Sequence, residues 1–152
     1  AAAYPELEVE EVIVDAMAAL LIRRPESFDV VVTTNMYGDI LSDLAAELSG
    51  GLGLGPSINA GDDRAIAQAS HGSAPDIAGK NIANPIALML SAGMLINWLG
   101  ERHDRPDLVE AAARLDEAVD AQLAEGTGVT PDLGGKLGTD GFGEAIAKRI
   151  TG

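Results

Sequence analysis

The chain has 152 residues, of which 24 are acidic and 10 basic, so its formal net charge is −14. This charge argues against nucleic acid and anionic membrane surfaces as partners. Because the chain contains no cysteine, a disulfide framework, a thiolate nucleophile and a cysteine-based zinc site are also excluded. Nothing resembles a signal peptide, and no apolar run reaches the ~18 residues of a membrane-spanning helix, so we expect a soluble cytoplasmic protein.

The first third of the chain predicts two strands that alternate with two helices. Charged and apolar residues alternate over residues 8–14, which indicates a half-exposed strand, and the apolar run over residues 28–34 indicates a buried one. Helices are predicted over residues 15–24, which precede a proline, and over residues 38–49, which precede two glycines. This alternation favours an α/β fold.

The rest of the chain predicts one short strand and three helices. Residues 52–61 form a glycine-rich connection. The composition changes near residues 50–61, which are the best candidate for a domain crossing. A helix over residues 85–99 is apolar on nearly every face, and we expect it to be buried. The other elements are a strand at 64–70, loops at 71–84 and 130–138, a terminal helix at 141–150 and an amphipathic helix at 106–125, whose apolar stripe is Leu108, Ala112, Leu115, Val119 and Leu123.

Asp39 and Asp43 form the first candidate site. A helix places both carboxylates on one face, one turn apart. Carboxylates held that close repel each other unless a cation lies between them. Oxygen ligands suit a hard divalent ion, so the spacing predicts a magnesium or manganese site.

The loop over residues 71–80 is the second candidate site. Its glycines allow backbone to approach a ligand, and Ser73, Asp76 and the nearby Asn84 offer polar groups. A carboxylate in such a loop can accept both hydroxyls of an adenosine ribose. The residues alone leave a second interpretation open, which is a structured surface loop without a ligand.

Four motifs occur in an order that resembles a known family. They are Val14-Asp15-Ala16-Met17, residues 35–43, residues 71–80 with Asn84-Pro85, and Thr130-Pro131-Asp132-Leu133-Gly134-Gly135. Together they resemble the C-terminal half of the isocitrate and isopropylmalate dehydrogenase family over essentially the whole chain. The resemblance implies that family's α/β fold, as the C-terminal portion of a two-domain subunit. Residues 1–49 would end the smaller, dimer-forming domain, and residues 50–152 would belong to the larger, cofactor-binding domain.

The resemblance also assigns metal ligands. It implies that Asp39 and Asp43 bind Mg²⁺ or Mn²⁺ in one subunit of a homodimer, while Asp15 reaches the metal of the partner subunit. The residues by themselves favour another role for Asp15, as the N-cap of the helix that follows it. With the family register added, the ligand role is the one that we expect.

A third implication is that the loop binds the adenosine half of NAD. Asp76 would accept the ribose diol of NAD and repel the additional phosphate of NADP, and His71 would lie against the adenine. NADP-preferring relatives carry a Lys followed by a Tyr where this chain has Asp76 and Ile77. The complete set of expected cofactor residues is His71, Gly72, Ser73, Ala74, Pro75, Asp76, Ile77 and Asn84.

The implied reaction is the oxidative decarboxylation of a 2-hydroxy acid. We expect 3-isopropylmalate, a substrate of leucine biosynthesis, with isocitrate, tartrate and D-malate as alternatives. The family's general acids, a Lys and a Tyr, match no residue of this chain and are expected upstream. We therefore expect a fragment, a truncated form or one part of a split assembly that is not a competent catalyst alone. A function of another class stays open, namely a non-catalytic regulatory or partner subunit with the same fold.

Overall fold

The structure, a computed structural model, describes residues 4–152. It divides into two compact units, Ala1–Leu48 and Ser49–Gly152. The N-terminal unit contains helices α1 (Val14–Arg23) and α2 (Asn35–Leu48), joined through a short 3₁₀ turn at Pro25–Ser27. Its small core consists of Met17 and Leu21 from α1 and Leu41 from α2. Both predicted helices of this unit are confirmed, although α2 begins three residues earlier than the sequence pattern indicated.

The two strands predicted for the N-terminal unit are wrong. Residues 8–13 and 28–34 form no β-ladder, and the side chains of Val30 and Val32 are 81% and 91% exposed. An apolar run can predict extended backbone, but a strand also needs a neighbour whose N–H and C=O groups complete the ladder. Among residues 4–48, no segment supplies that neighbour.

The C-terminal unit begins with a β-hairpin. Strand β1 (Pro56–Ala60) pairs antiparallel with β2 (Ala65–Ala69), and Gly61 N–H closes the turn by donating to Arg64 O at 2.8 Å. The prediction of a strand near 64–70 is confirmed, whereas β1 was missed. Its sequence lies inside the glycine-rich stretch, whose composition indicated an irregular connection.

Three helices complete this unit: α3 (Ile86–Arg102), α4 (Pro106–Glu125) and α5 (Thr139–Thr151). Helix α3 contacts both strands and α4, and α5 contacts α4. Ile86, Val119 and Phe142, one from each helix, are fully buried in the core. The helices of this part of the chain are too short or too polar to cross a lipid bilayer, as are the others among the described residues.

The burial of α3 corrects one expectation. Its side chains are not buried on every face, because Leu88 and Met94 are 59% and 39% exposed. Close packing occurs instead where α3 presents small residues to α4. A Cβ atom at Gly100 would lie 2.7 Å from Val109 Cγ2, so only glycine permits this approach.

Candidate functional site

The two candidate sites lie in different compact units of the chain. Asp39 and Asp43 belong to α2 in the N-terminal unit, and both are exposed. Their spacing places them on one helical face, one turn apart, as predicted. Leu41, between them in sequence, packs into the core and fixes how the helix lies on α1. Two exposed oxygen donors fit part of the shell of a hard divalent ion, which needs about six ligands.

Asp15 is the second residue of α1, and it is not the N-cap. Ile13 occupies the cap position, so the N-cap interpretation is wrong by two residues. The Asp15 carboxylate nevertheless accepts a hydrogen bond from Ala16 N–H at 2.6 Å. Negative charge in the first turn also suits the helix dipole. The aspartate therefore has a structural use that requires no metal.

The described residues contain no group of three or more acidic or histidine side chains that could hold a metal. The structure thus brings Asp39 and Asp43 together but does not add Asp15 to them. Two carboxylates supply only part of a divalent ion's shell, and further ligands such as water would have to complete it. The role of Asp15 at a partner's metal stays a prediction.

The predicted cofactor loop forms an exposed arc. Every residue from His71 to Asp76 is exposed, and Ile77 is half-buried. A 3₁₀ turn at Pro75–Ile77 carries Asp76, and it begins after Ala74, whose φ of 40° is left-handed. Ile77 N–H donates to Ala74 O at 3.1 Å. The arc is therefore shaped by its own backbone, and its polar side chains face solvent.

Two residues of the arc have local features that suit a ligand. His71 Nδ1 lies 3.0 Å from Gly72 O, and a proton on Nδ1 leaves Nε2 as an acceptor. At Gly72, an added Cβ would meet no atom within 4 Å. The protein itself thus leaves open space beside the Gly72 backbone, as the close approach of a ligand requires.

The start of the arc is anchored by Ser91, which is fully buried. Its Oγ accepts a hydrogen bond from Ser57 N–H at 3.1 Å and lies 2.8 Å from Gln68 O. Ser70 N–H donates to Gly55 O at 3.2 Å. These contacts fix the end of β2, from which the arc departs. Ser91 could not be singled out from the sequence, because it lies within an apolar helix far along the chain.

The end of the arc is anchored by polar contacts to the connection between α4 and α5 and to the first turn of α5. Asn84 Nδ2 donates to Asp132 Oδ2 at 2.9 Å, and Asn84 Oδ1 accepts from Ile86 N–H at 3.0 Å. Thr139 Oγ1 donates to Ala83 O at 2.6 Å. Asn81 Oδ1 accepts from Asp140 N–H at 3.0 Å, which satisfies an N–H of the first turn of α5. Of these anchors, only Asn84 was assigned a role from the sequence, although Asp132 belongs to one of the four motifs.

Comparisons with known proteins agree on one family. A family model described as isocitrate/isopropylmalate dehydrogenase matches residues 1–146. The chain is 54% identical over 147 residues to the isocitrate/homoisocitrate dehydrogenase of Thermus thermophilus, covering 97% of this chain and 42% of that protein. It is 48% identical over 148 residues to the Arabidopsis thaliana mitochondrial isocitrate dehydrogenase [NAD] catalytic subunit 5, covering 97% and 38%.

Solved structures give the same result. The crystal structure of isocitrate dehydrogenase from Methylococcus capsulatus matches with a TM-score of 0.89 and 45% identity, over 99% of this chain and 43% of that one. The chain therefore spans about two-fifths of the length of the relatives that it matches.

Proposed function

The chain belongs to the isocitrate/isopropylmalate dehydrogenase family, and we propose that it is part of an NAD- and divalent-metal-dependent enzyme that oxidatively decarboxylates a 2-hydroxy acid. The observation that carries the proposal is the family match over residues 1–146. The same match, with the structural similarity, confirms the predicted isocitrate/isopropylmalate dehydrogenase-like fold.

Asp76 supports NAD as the cofactor. Its exposed carboxylate can accept both hydroxyls of the adenosine ribose, and its charge disfavours a phosphate at the same place. The printed name of the Arabidopsis relative, which specifies NAD, supports the same choice. When bound, NAD takes the hydride that leaves the substrate.

Asp39 and Asp43 support a metal site on α2. They would hold Mg²⁺ or Mn²⁺, with Asp15 of a second copy completing the site in a homodimer. A bound ion supplies Lewis acidity that polarises the substrate's oxygen atoms. The remaining roles of this chain are to hold that ion and to orient the adenosine end of the cofactor. The proton-transferring Lys and Tyr are expected outside residues 1–152.

The substrate is proposed as a class, with 3-isopropylmalate the first choice from the sequence. Isocitrate is the second candidate, and the name of the Thermus relative favours it. That name also adds homoisocitrate, which the sequence had not suggested. Tartrate and D-malate complete the panel to be tested.

Calorimetric titration of the natural protein with Mn²⁺ tests the metal proposal and separates an enzyme from a regulatory subunit. We expect saturable binding that weakens by at least about tenfold in the Asp39→Asn and Asp43→Asn variants, since even residues that only support a ligand typically matter this much. Glu26→Gln, which removes an exposed acid elsewhere in the same unit, is the control and should bind normally. Absence of Mn²⁺ binding in the unmodified protein would contradict the proposal and favour the non-catalytic alternative.

A further inference from the structure

Asn84 joins the end of the cofactor loop to α3, and both ends of its carboxamide are engaged. The Nδ2 group donates to Asp132 Oδ2 at 2.9 Å, and Oδ1 accepts from Ile86 N–H at 3.0 Å. A carboxylate can only accept hydrogen bonds, and a backbone N–H can only donate one. These two partners therefore permit a single orientation of the Asn84 amide.

Asp132 is held in a closed turn. It lies in the 3₁₀ turn Pro131–Leu133, where Thr130 O accepts hydrogen bonds from Leu133 N–H at 3.1 Å and from Gly135 N–H at 3.0 Å. Thr130 is itself fully buried. The carboxylate thus projects from a segment whose backbone is fixed independently of the cofactor loop.

Gly53 brings a third segment against this pair. A Cβ at Gly53 would lie 3.1 Å from Asn84 Cβ and 3.2 Å from Asp132 Oδ2. The absence of a side chain at this position gives the Asn84–Asp132 pair its space. A side chain at position 53 would therefore disturb the Asn84–Asp132 pair without removing either of its polar groups.

We infer that Asp132 is a positioning residue for the cofactor, acting through Asn84; the inference rests on the proposed role of the loop in binding NAD. By fixing the amide, Asp132 directs the second Nδ2 hydrogen of Asn84, which neither of the two bonds uses. That hydrogen suits an acceptor nitrogen of an adenine ring. The same contact ties Asn84, at the end of the loop, to the turn Pro131–Leu133.

The test is steady-state kinetics and NAD titration of the natural protein. Asp132→Ala should raise KM and Kd for NAD by about threefold to tenfold, the range for one hydrogen bond, and leave kcat nearly unchanged. Asp132→Asn keeps an acceptor oxygen and should recover most of the affinity. If Asp132 acted through its charge instead, Asp132→Asn would resemble Asp132→Ala, and positioning would be overturned.

A double-mutant cycle separates an action through Asn84 from a direct one. In an Asn84→Ala background, Asp132→Ala should cause no further loss of NAD affinity. Additive losses would overturn the inference. Asp62→Ala, which removes an exposed carboxylate in the hairpin turn, is the matched control and should leave KM for NAD unchanged.

Thermal unfolding of each variant monitors the fold. If Asp132→Ala loses its cooperative transition, Asp132→Asn and Gly53→Ala carry the test, and we expect a raised KM for NAD in Gly53→Ala. The inference would be overturned if KM for NAD were unchanged in Gly53→Ala and if folded Asp132→Asn had lost its affinity for NAD. Normal NAD binding by both the unmodified protein and Asp132→Ala overturns the positioning role alone. No NAD binding by the unmodified protein overturns the proposed function as well.

Discussion

At the residue scale, Asp39 and Asp43 show what spacing can predict. Helical periodicity alone places them on one face, and the structure agrees. The N-cap interpretation of Asp15 failed because a cap depends on where the helix starts, and helix ends are the least certain part of a sequence pattern. Ser91 was not singled out, and Asp132 was quoted in a motif but given no role, because their partners are distant in sequence. Asp132 contacts a residue 48 positions away, and Ser91 contacts one 34 positions away.

Ser91 provides a prediction about stability at this scale. Ser91→Ala would remove the fully buried hydroxyl that bridges Ser57 N–H and Gln68 C=O, and would leave these partly buried groups without their side-chain partner. We expect the free energy of unfolding to fall by about 1–3 kcal/mol, the usual cost of unsatisfied buried polar groups. Chemical denaturation monitored by circular dichroism measures this change.

Ser73→Ala is the control for that measurement. Ser73 is exposed in the loop predicted to bind the cofactor, so its replacement should leave the free energy of unfolding unchanged. Equal stability of Ser91→Ala and the unmodified protein would show that the Ser91 contacts do not stabilise the hairpin on α3.

At the scale of elements, local signals predicted helices better than strands. The bounds predicted for α4 match, because Pro106 occupies its first turn and Gly126 ends it with a φ of 68°. In contrast, the residues at 8–14 and 28–34 have strand-like patterns but no pairing partner among residues 4–48. A pattern reports which face of an element is apolar, but it does not report whether another strand lies beside it.

The packing of α3 on α4 gives a pH-dependent prediction. Asp116 on α4 is largely exposed, but partial desolvation, together with the nearby Asp120 carboxylate, raises the pKa of its carboxyl above the ordinary value. The ionised form is therefore disfavoured in the folded state. The stability that the protonated carboxyl contributes is lost as the pH rises through this pKa. Asp116→Asn should raise Tm at neutral pH. Near pH 3, where the carboxyl is protonated in both states, the difference should vanish.

Differential scanning calorimetry of both proteins at the two pH values checks this expectation. Glu110→Gln removes the same charge at another position of α4 and should not reproduce the pH-dependent gain. A Tm difference for Asp116→Asn that is independent of pH would contradict the role of the carboxyl.

At the scale of the whole molecule, nearly all of the chain aligns with its relatives, but the aligned part is only about two-fifths of the relatives' length. The two aspartates predicted to bind metal and the loop predicted to bind the cofactor lie in separate compact units. Fold and family could be predicted from motif order. The substrate could not be predicted, because no residue of this chain matches those that are expected to recognise the substrate's side group. The exposed Val30 and Val32 belong to a segment whose pattern is that of a buried strand.

The most direct test of the account is the formation of NADH by the natural protein in the presence of Mn²⁺. The panel of substrates is 3-isopropylmalate, isocitrate, homoisocitrate, tartrate and D-malate, each assayed with NAD and with NADP. We predict turnover of at least one of these acids, a higher kcat/KM for NAD than for NADP, and loss of turnover when EDTA removes the metal. Full activity in EDTA, or absence of turnover with every acid despite normal folding, would contradict the account.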